Sequence, residues 1–146
     1  VNAAPLGPAR RVDLSSQECM ELLASVTVGR VVFSHHALPA VCLVSHLIDD
    51  GCVVIRAHQD ASLVGSASVC GVVAYEADVL APATRTGWSV VVTGRTSLVR
   101  ASAELACYRR LLTHWADGGG GVDQVVRISP DIVTGYRLVG TGPVLT

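Results

Sequence analysis

Ala40-Val41-Cys42-Leu43-Val44-Ser45-His46-Leu47-Ile48 and Cys52-Val53-Val54-Ile55-Arg56-Ala57 are two short valine-rich runs separated only by Asp49-Asp50-Gly51. β-Branched residues fit a pleated, half-buried surface, and the glycine supplies the positive φ that a tight hairpin turn requires. The stretch therefore reads as two antiparallel strands. Upstream, Arg30–Ser34 is a strand and His35–Pro39 its turn. Downstream, Gly71–Val79 is another, with Val73, Tyr75, Ala77 and Val79 alternating against Ala74, Glu76 and Asp78, as one buried and one wet face dictate.

The pattern continues toward both ends. Leu80–Thr86 is a loop, and Gly87–Arg100 is a long strand with Gly94 marking a bulge or bend. Val122–Ser129 and Thr134–Val139 complete the sheet, with Gly135 as a bend in the second of them. Three helices flank these strands. The first follows the capping-box spacing of Ser15 and Glu18, with Cys19, Leu22, Leu23 and Val26 on its buried stripe. A second runs over Ala61–Ser68 behind Asp60. The third is capped by Ser102 and runs to His114, with Leu105, Tyr108, Leu111 and Leu112 on one face. Gly118–Gly121 is a flexible loop. Many short hairpin-linked strands with few helices predict a mainly β, closed or nearly closed antiparallel barrel of six to seven strands.

Composition narrows the function. The 146 residues fit one domain, with residues 1–12 expected as a flexible arm and 13–146 as the folded unit. Half of the residues are hydrophobic, 16% are charged, and the mean hydropathy is +0.48. That excess of apolar surface is most simply covered by self-association. Ser45, His46 and Asp49 interrupt the longest apolar stretch, so no membrane span is expected. All eleven basic residues are arginines, scattered along a chain of net charge −1, which argues against nucleic acid as a ligand. Cys19, Cys42, Cys52, Cys70 and Cys107 form no CxxC pair, and an odd count without a secretion signal reads as reduced thiols in a cytoplasmic protein.

The signatures of phosphate-cradling loops, nucleophile elbows and zinc helices are absent from the sequence. His35 and His36 are adjacent, and neighbouring strand side chains point to opposite faces, so no metal site is expected there. The informative feature is an ordered set. Leu14-Ser15-Ser16-Gln17-Glu18 leads into Val28-Gly29-Arg30-Val31-Val32-Phe33-Ser34, followed by Ala37-Leu38-Pro39, Val44-Ser45-His46, Asp49-Asp50-Gly51 and Val53-Val54-Ile55-Arg56. Later come Val73-Ala74-Tyr75-Glu76-Ala77-Asp78, Arg85-Thr86-Gly87-Trp88-Ser89-Val90-Val91-Val92-Thr93-Gly94 and Val126-Arg127-Ile128. From about Asp13 to Val139 this order resembles the pyridoxamine 5′-phosphate oxidase-like family of FMN-binding split β-barrels, in its small actinobacterial-type branch.

The resemblance implies a Greek-key-like split barrel, a homodimer with two sites at its interface, and FMN as cofactor for a small-molecule redox substrate. Arg56 matches the family's phosphate-binding arginine. Val44, Ser45 and His46 match the segment beside the flavin ring, and Trp88 and Ser89 the segment approaching the site near the dimer interface. The chain departs from the family where Thr and Ser-Lys-Leu are usual: here stand Ala57 and Ala61-Ser62-Leu63. Ser62 regains one hydroxyl for the phosphate, while the lysine charge is lost and Asp60 adds a negative one. Arg85 and Arg127 are weaker candidates, and no residue qualifies as a catalytic acid or base. Other readings stay open: the deazaflavin F420 as cofactor, haem with an axial His46 or His58, or a dimer that binds no cofactor.

Overall fold

The computed structural model describes residues 7–59, 71–113 and 122–141. The expected helix over Ala61–Ser68, Ser62 with it, and the Gly118–Gly121 loop lie outside these residues. Seven strands and two helices follow in the order β1 (Arg10–Asp13), α1 (Ser16–Ala24), β2 (Val28–His35), β3 (Leu38–Asp49), β4 (Cys52–Gln59), β5 (Val72–Ala81), β6 (Thr86–Leu98), α2 (Ser102–Leu111) and β7 (Val122–Val139). All pairings are antiparallel. Six strands close a ring, β7-β4-β3-β2-β5-β6, through the β6–β7 pairing, and β1 adds to the far end of β7. The split barrel expected from the sequence is thus present.

Alternation fills the barrel. Val31 and Phe33 from β2, Val44 from β3, Val53, Ile55 and Ala57 from β4, Val73, Tyr75 and Ala77 from β5, and Val90 and Val92 from β6 all point inward and are buried. Cys19 and Leu23 of α1 join this cluster, so the amphipathic helix packs against the barrel core. Its N-terminus carries the expected capping box: Ser15 Oγ accepts from the Glu18 N–H at 3.2 Å, and Glu18 Oε1 accepts from the Ser15 N–H at 3.2 Å. A second, smaller core lies outside the barrel, where Val99, Tyr108 and Leu112 pack on Val54 and Val125 of β4 and β7.

Four expectations are corrected. Residues 10–12 are not loose, because the chain from Arg10 to Asp13 pairs with Val139 to Tyr136. Arg10-Arg11-Val12-Asp13 has no apolar alternation, so this strand owes its existence to the partner it finds. The two carboxy-terminal strands are one, since Thr93 pairs with Ile132 and Gly94 with Pro130, leaving Asp131 as the extra residue of a bulge. The Leu80–Thr86 loop is shorter, because β5 runs on to Ala81 and only Pro82–Arg85 turn. Finally, Ala101 rather than Ser102 occupies the N-cap of α2, without a side-chain cap, and the helix stops at Leu111. Leu112 leaves the helix with extended dihedrals and is buried, which turns Leu111 out to 62% exposure.

Two backbone positions show how tightly the barrel is specified. Gly94 sits at the bulge, where an added Cβ falls 2.0 Å from the Ser129 carbonyl oxygen. The β2–β3 turn, in contrast, places His36 and Ala37 at φ values of 50° and 62°, a left-handed pair without a glycine. Gly94→Ala is expected to destabilise the fold by about 1–3 kcal/mol. Ala37→Gly is expected to stabilise it by up to about 1 kcal/mol, the left-handed cost of about 1–2 less the glycine's own entropy. Urea midpoints at unchanged slope measure both.

Candidate functional site

The expected site residues divide between the inside and the outside of the barrel wall. Val44, His46 and Trp88 are 3%, 2% and 6% exposed and belong to the interior or its rim. His46 is fixed at both ring nitrogens. Its Nε2 lies 2.8 Å from the Leu23 carbonyl oxygen, which can only accept, so that nitrogen carries the proton. Nδ1 is then the acceptor for the Tyr75 hydroxyl. Burial lowers the His46 pKa, while burial pushes that of Tyr75 far above its ordinary value. A histidine held in this way has no free nitrogen for a haem iron, so the axial role considered for His46 does not hold. The side chain of His58 lies outside the described residues.

Outside the wall, Ser45 and Arg56 face each other across the β3–β4 ladder. Arg56 is a structural hub. Its Nε and Nη2 donate to the two Asp123 carboxylate oxygens at 3.0 and 2.9 Å, and Nη1 donates to the carbonyls of Arg109 and Leu112 at 2.8 and 2.7 Å. The guanidinium thereby caps the end of α2, where unsatisfied carbonyls attract a cation. One of its five N–H groups remains without a partner among the described residues. Arg109 Nε stands 3.4 Å from the same Asp123 carboxylate, bringing a second cation to the patch. Ser45 is only 5% exposed, yet its hydroxyl finds no hydrogen-bond partner among the described residues. An orphaned buried hydroxyl costs about 1–3 kcal/mol, so it marks a position where a polar partner is wanted.

Ser89 is the third outward-facing candidate. It pairs with Tyr136 of β7 and Asp78 of β5, and it lines a groove of about 300 Å³ shared with Arg11, Asp13, Val91, Thr134 and Tyr136. That volume is at the lower end for a small-molecule site. One wall is built by the strand that the sequence reading missed. Arg11 lies over the Tyr136 ring, 4.2 Å from its centroid, and bonds Asp13 at 3.3 Å. Within one chain, then, Ser45 and Arg56 are adjacent, Ser89 stands on a separate groove, and Val44, His46 and Trp88 point away from both.

Of the remaining candidates, Arg127 has a structural role. Arg127 donates to Glu104 at 2.6 Å and to the Tyr108 hydroxyl at 3.2 Å, and Tyr108 donates to Asp49 at 2.6 Å, a chain that fastens α2 to the β3–β4 hairpin. Arg85 sits at φ 55° in the β5–β6 turn. Cys19, Cys52 and Cys107 are free thiols, and among the described residues no cluster of His, Cys, Asp and Glu is arranged to hold a metal ion. No helix of the described residues is long and apolar enough to cross a membrane.

Comparison with known proteins is consistent with this geometry. The family model for pyridoxamine 5′-phosphate oxidase matches residues 15–137. An uncharacterised Mycobacterium tuberculosis protein, Rv0080, is 48% identical over 141 residues, which cover 94% of this chain and 91% of that one. A Corynebacterium glutamicum structure, provisionally assigned as a pyridoxamine 5′-phosphate oxidase, is 29% identical with a TM-score of 0.71, over 89% of this chain and 99% of that one. An FAD-binding protein of Mycobacterium smegmatis is 27% identical with a TM-score of 0.65, over 88% and 98% of the two chains.

The His46 arrangement is testable through stability. Tyr75→Phe leaves Nδ1 without its donor and is expected to cost about 1–3 kcal/mol. Because the folded state keeps His46 neutral, its contribution is present above the unfolded pKa of about 6.5 and is lost as the pH falls below it. His46→Gln, which cannot titrate, is expected to lack that part of the acid slope in urea unfolding measured between pH 7.5 and 5.

Proposed function

The chain belongs to the pyridoxamine 5′-phosphate oxidase family, and from that membership we propose that it is a flavin-dependent oxidoreductase, a homodimer using FMN on a small-molecule substrate. The observation that carries the cofactor is Ser45: a buried hydroxyl without a partner among the described residues, directly across the ladder from an arginine with one N–H unpaired among them. A phosphate monoester satisfies both, since its oxygens accept from a hydroxyl and from a guanidinium. Arg109 supplies a second positive charge beside Asp123, in a chain where Ser62 replaces the family lysine. The FAD-binding relative from Mycobacterium smegmatis supports a flavin of some kind.

When bound, the flavin supplies two-electron redox chemistry, and the protein's contribution is to hold and surround it. Arg56 and Ser45 bind the phosphate end, with Ser62 as the further hydroxyl from the sequence reading. Ser89 offers its hydroxyl from the groove on β6. The side chains of Val44, His46 and Trp88 support the wall from inside, keeping β3 and β6 flat where the ring is to rest. The barrel interior is filled, so a ligand occupies the outer surface, and a second copy of the chain is what shields it from water. In this arrangement a proton is exchanged with solvent or substrate, since no outward side chain of the patch is placed as a general acid or base.

A cofactor-free dimer is the second reading, favoured by the four N–H bonds that Arg56 already makes within the chain. Fluorescence titration with FMN, FAD and riboflavin separates the two. FMN is expected to bind saturably and more tightly than riboflavin, which lacks the phosphate. Ser45→Ala is expected to weaken FMN but not riboflavin, by roughly tenfold for one hydrogen bond to a charged group. Arg56→Lys, checked for retained fold by circular dichroism, is expected to weaken FMN further. Absence of saturable binding by all three flavins overturns the flavin reading in favour of the cofactor-free dimer.

A further inference from the structure

The outer face of β3-β2-β5-β6 combines exposed apolar residues with one compact charged cluster. Val41 and Leu43 on β3 are 65% and 52% exposed, and Val72 on β5 is 62% exposed. Across the ladders, Val41 is level with Val32 and Ala74, and Leu43 with Arg30, Glu76 and Val91. Arg30 Nε donates to Glu76 at 3.0 Å, and its Nη2 donates to Asp78 at 2.9 Å. Two carboxylates therefore share one guanidinium in the middle of an apolar surface. Contiguous apolar patches of this kind mark association surfaces, and their charged centre decides the partner.

The cluster is self-complementary only in one protonation state. With both carboxylates ionised it carries a net charge of −1, and pressing it against its own copy buries two like charges. With one proton bound it is neutral, and a guanidinium beside a carboxylate is matched by the same pair turned through a two-fold axis. Among the described residues, the side chains facing the cluster across the ladders are uncharged, and Arg11 and Asp13, which share the groove of Ser89 and Val91, pair with each other. Leu43 faces Arg30 from β3, and Val91 and Ser89 face Glu76 and Asp78 from β6. Arg95, level with Val72, pairs with Asp131 at 3.6 Å, and Tyr75 points to the opposite side of the wall.

We propose that this face is where a second copy of the chain docks, and that the proton shared by Glu76 and Asp78 beside Arg30 makes the docking pH-dependent. The inference rests on the homodimer of the proposed function and adds its surface and its control. Burial and the neighbouring Asp78 push Glu76 up to about 7, while the hydrogen bond from Glu76 holds Asp78 below its ordinary value, so the proton resides on Glu76. For a carboxyl whose pKa is raised, the favourable state is the protonated one. Docking is therefore tightest below pH 7 and weakens as the pH rises through it.

Sedimentation velocity of the purified chain from pH 5.5 to 8.5 tests the proposal. The dissociation constant is expected to rise above pH 7, approaching a hundredfold per pH unit because each dimer binds two protons. Glu76→Gln, which keeps the donor and removes the titration, is expected to dimerise with little dependence on pH. Leu43→Glu is expected to weaken the dimer at every pH, with circular dichroism confirming its fold. A dimer with no pH dependence, a Glu76→Gln protein that keeps the slope, or a Leu43→Glu protein that dimerises normally overturns this inference alone. A chain that stays monomeric throughout overturns the homodimer itself, and this inference with it.

Discussion

The buried line from Tyr75 through His46 to the Leu23 carbonyl is the constraint on which the rest of the barrel depends. It joins β5, β3 and the end of α1 inside an apolar interior, where an unpaired polar group is costly. Three requirements follow from it. β3 must keep the register that puts His46 inside. α1 must stop where its Leu23 carbonyl meets the imidazole. Gly29 must stay without a side chain, since an added Cβ falls 2.5 Å from the Tyr75 hydroxyl oxygen. The backbone reinforces the line, because the His46 N–H donates to the Thr27 carbonyl at 2.9 Å just beyond the helix. Strand register is only weakly defended by apolar alternation alone when both faces are hydrophobic, as on β3. A polar residue that is satisfied in one register and orphaned in any other removes that ambiguity.

With the interior filled by side chains, the proposed flavin site lies on the outer surface. Arg56 is where that proposed site meets the demands of folding. Its guanidinium takes up two carbonyls at the end of α2 and the carboxylate of Asp123, so it organises the small second core formed by Val54, Val99, Tyr108, Leu112 and Val125. An arginine held at this many points loses little further side-chain entropy when an anion arrives, which favours binding. Among the described residues the same bonds leave one N–H to offer, which limits the strength of any single contact. In the proposed site, Arg109 and the Ser45 hydroxyl would add to that contact.

Most of the architecture was legible in the residues, because the relevant signals are local. The Asp50-Gly51 turn, the alternation around Tyr75, the capping box and the Gly94 bulge each follow from a few neighbouring side chains. What escaped was set at long range. The strand Arg10–Asp13 has no pattern of its own and exists because the end of β7 offers an unpaired edge. The early end of α2 depends on Leu112 finding Val54 and Val125, which lie far away in the chain. The site was legible as a set of residues but not as a surface. Val44, Ser45 and His46 are consecutive, so alternation alone sends Ser45 one way and its neighbours the other. Trp88 and Ser89 separate by the same rule. The partners of Arg56, by contrast, come from α2 and β7, and no spacing in the sequence announces Asp123.

The division between an apolar interior and an apolar exterior also explains the composition. A six-stranded barrel with a solvated wall needs a polar residue at every second strand position, yet the outward positions of β2, β3 and β5 include Val32, Val41, Leu43, Val72 and Ala74. This is where the hydrophobic half of the chain goes once the core is full. An exterior of this kind is unfavourable in water at roughly 25 cal/mol for each Å² left exposed, so the docking proposed above would add to the fold's stability. In that proposal Arg30, Glu76 and Asp78 would set the terms of docking. A purely apolar wall would accept any hydrophobic partner, whereas one guanidinium between two carboxylates rejects all but a matching arrangement of charge. In the proposed docking the cluster would give an apolar surface its specificity, much as His46 gives an apolar core its register.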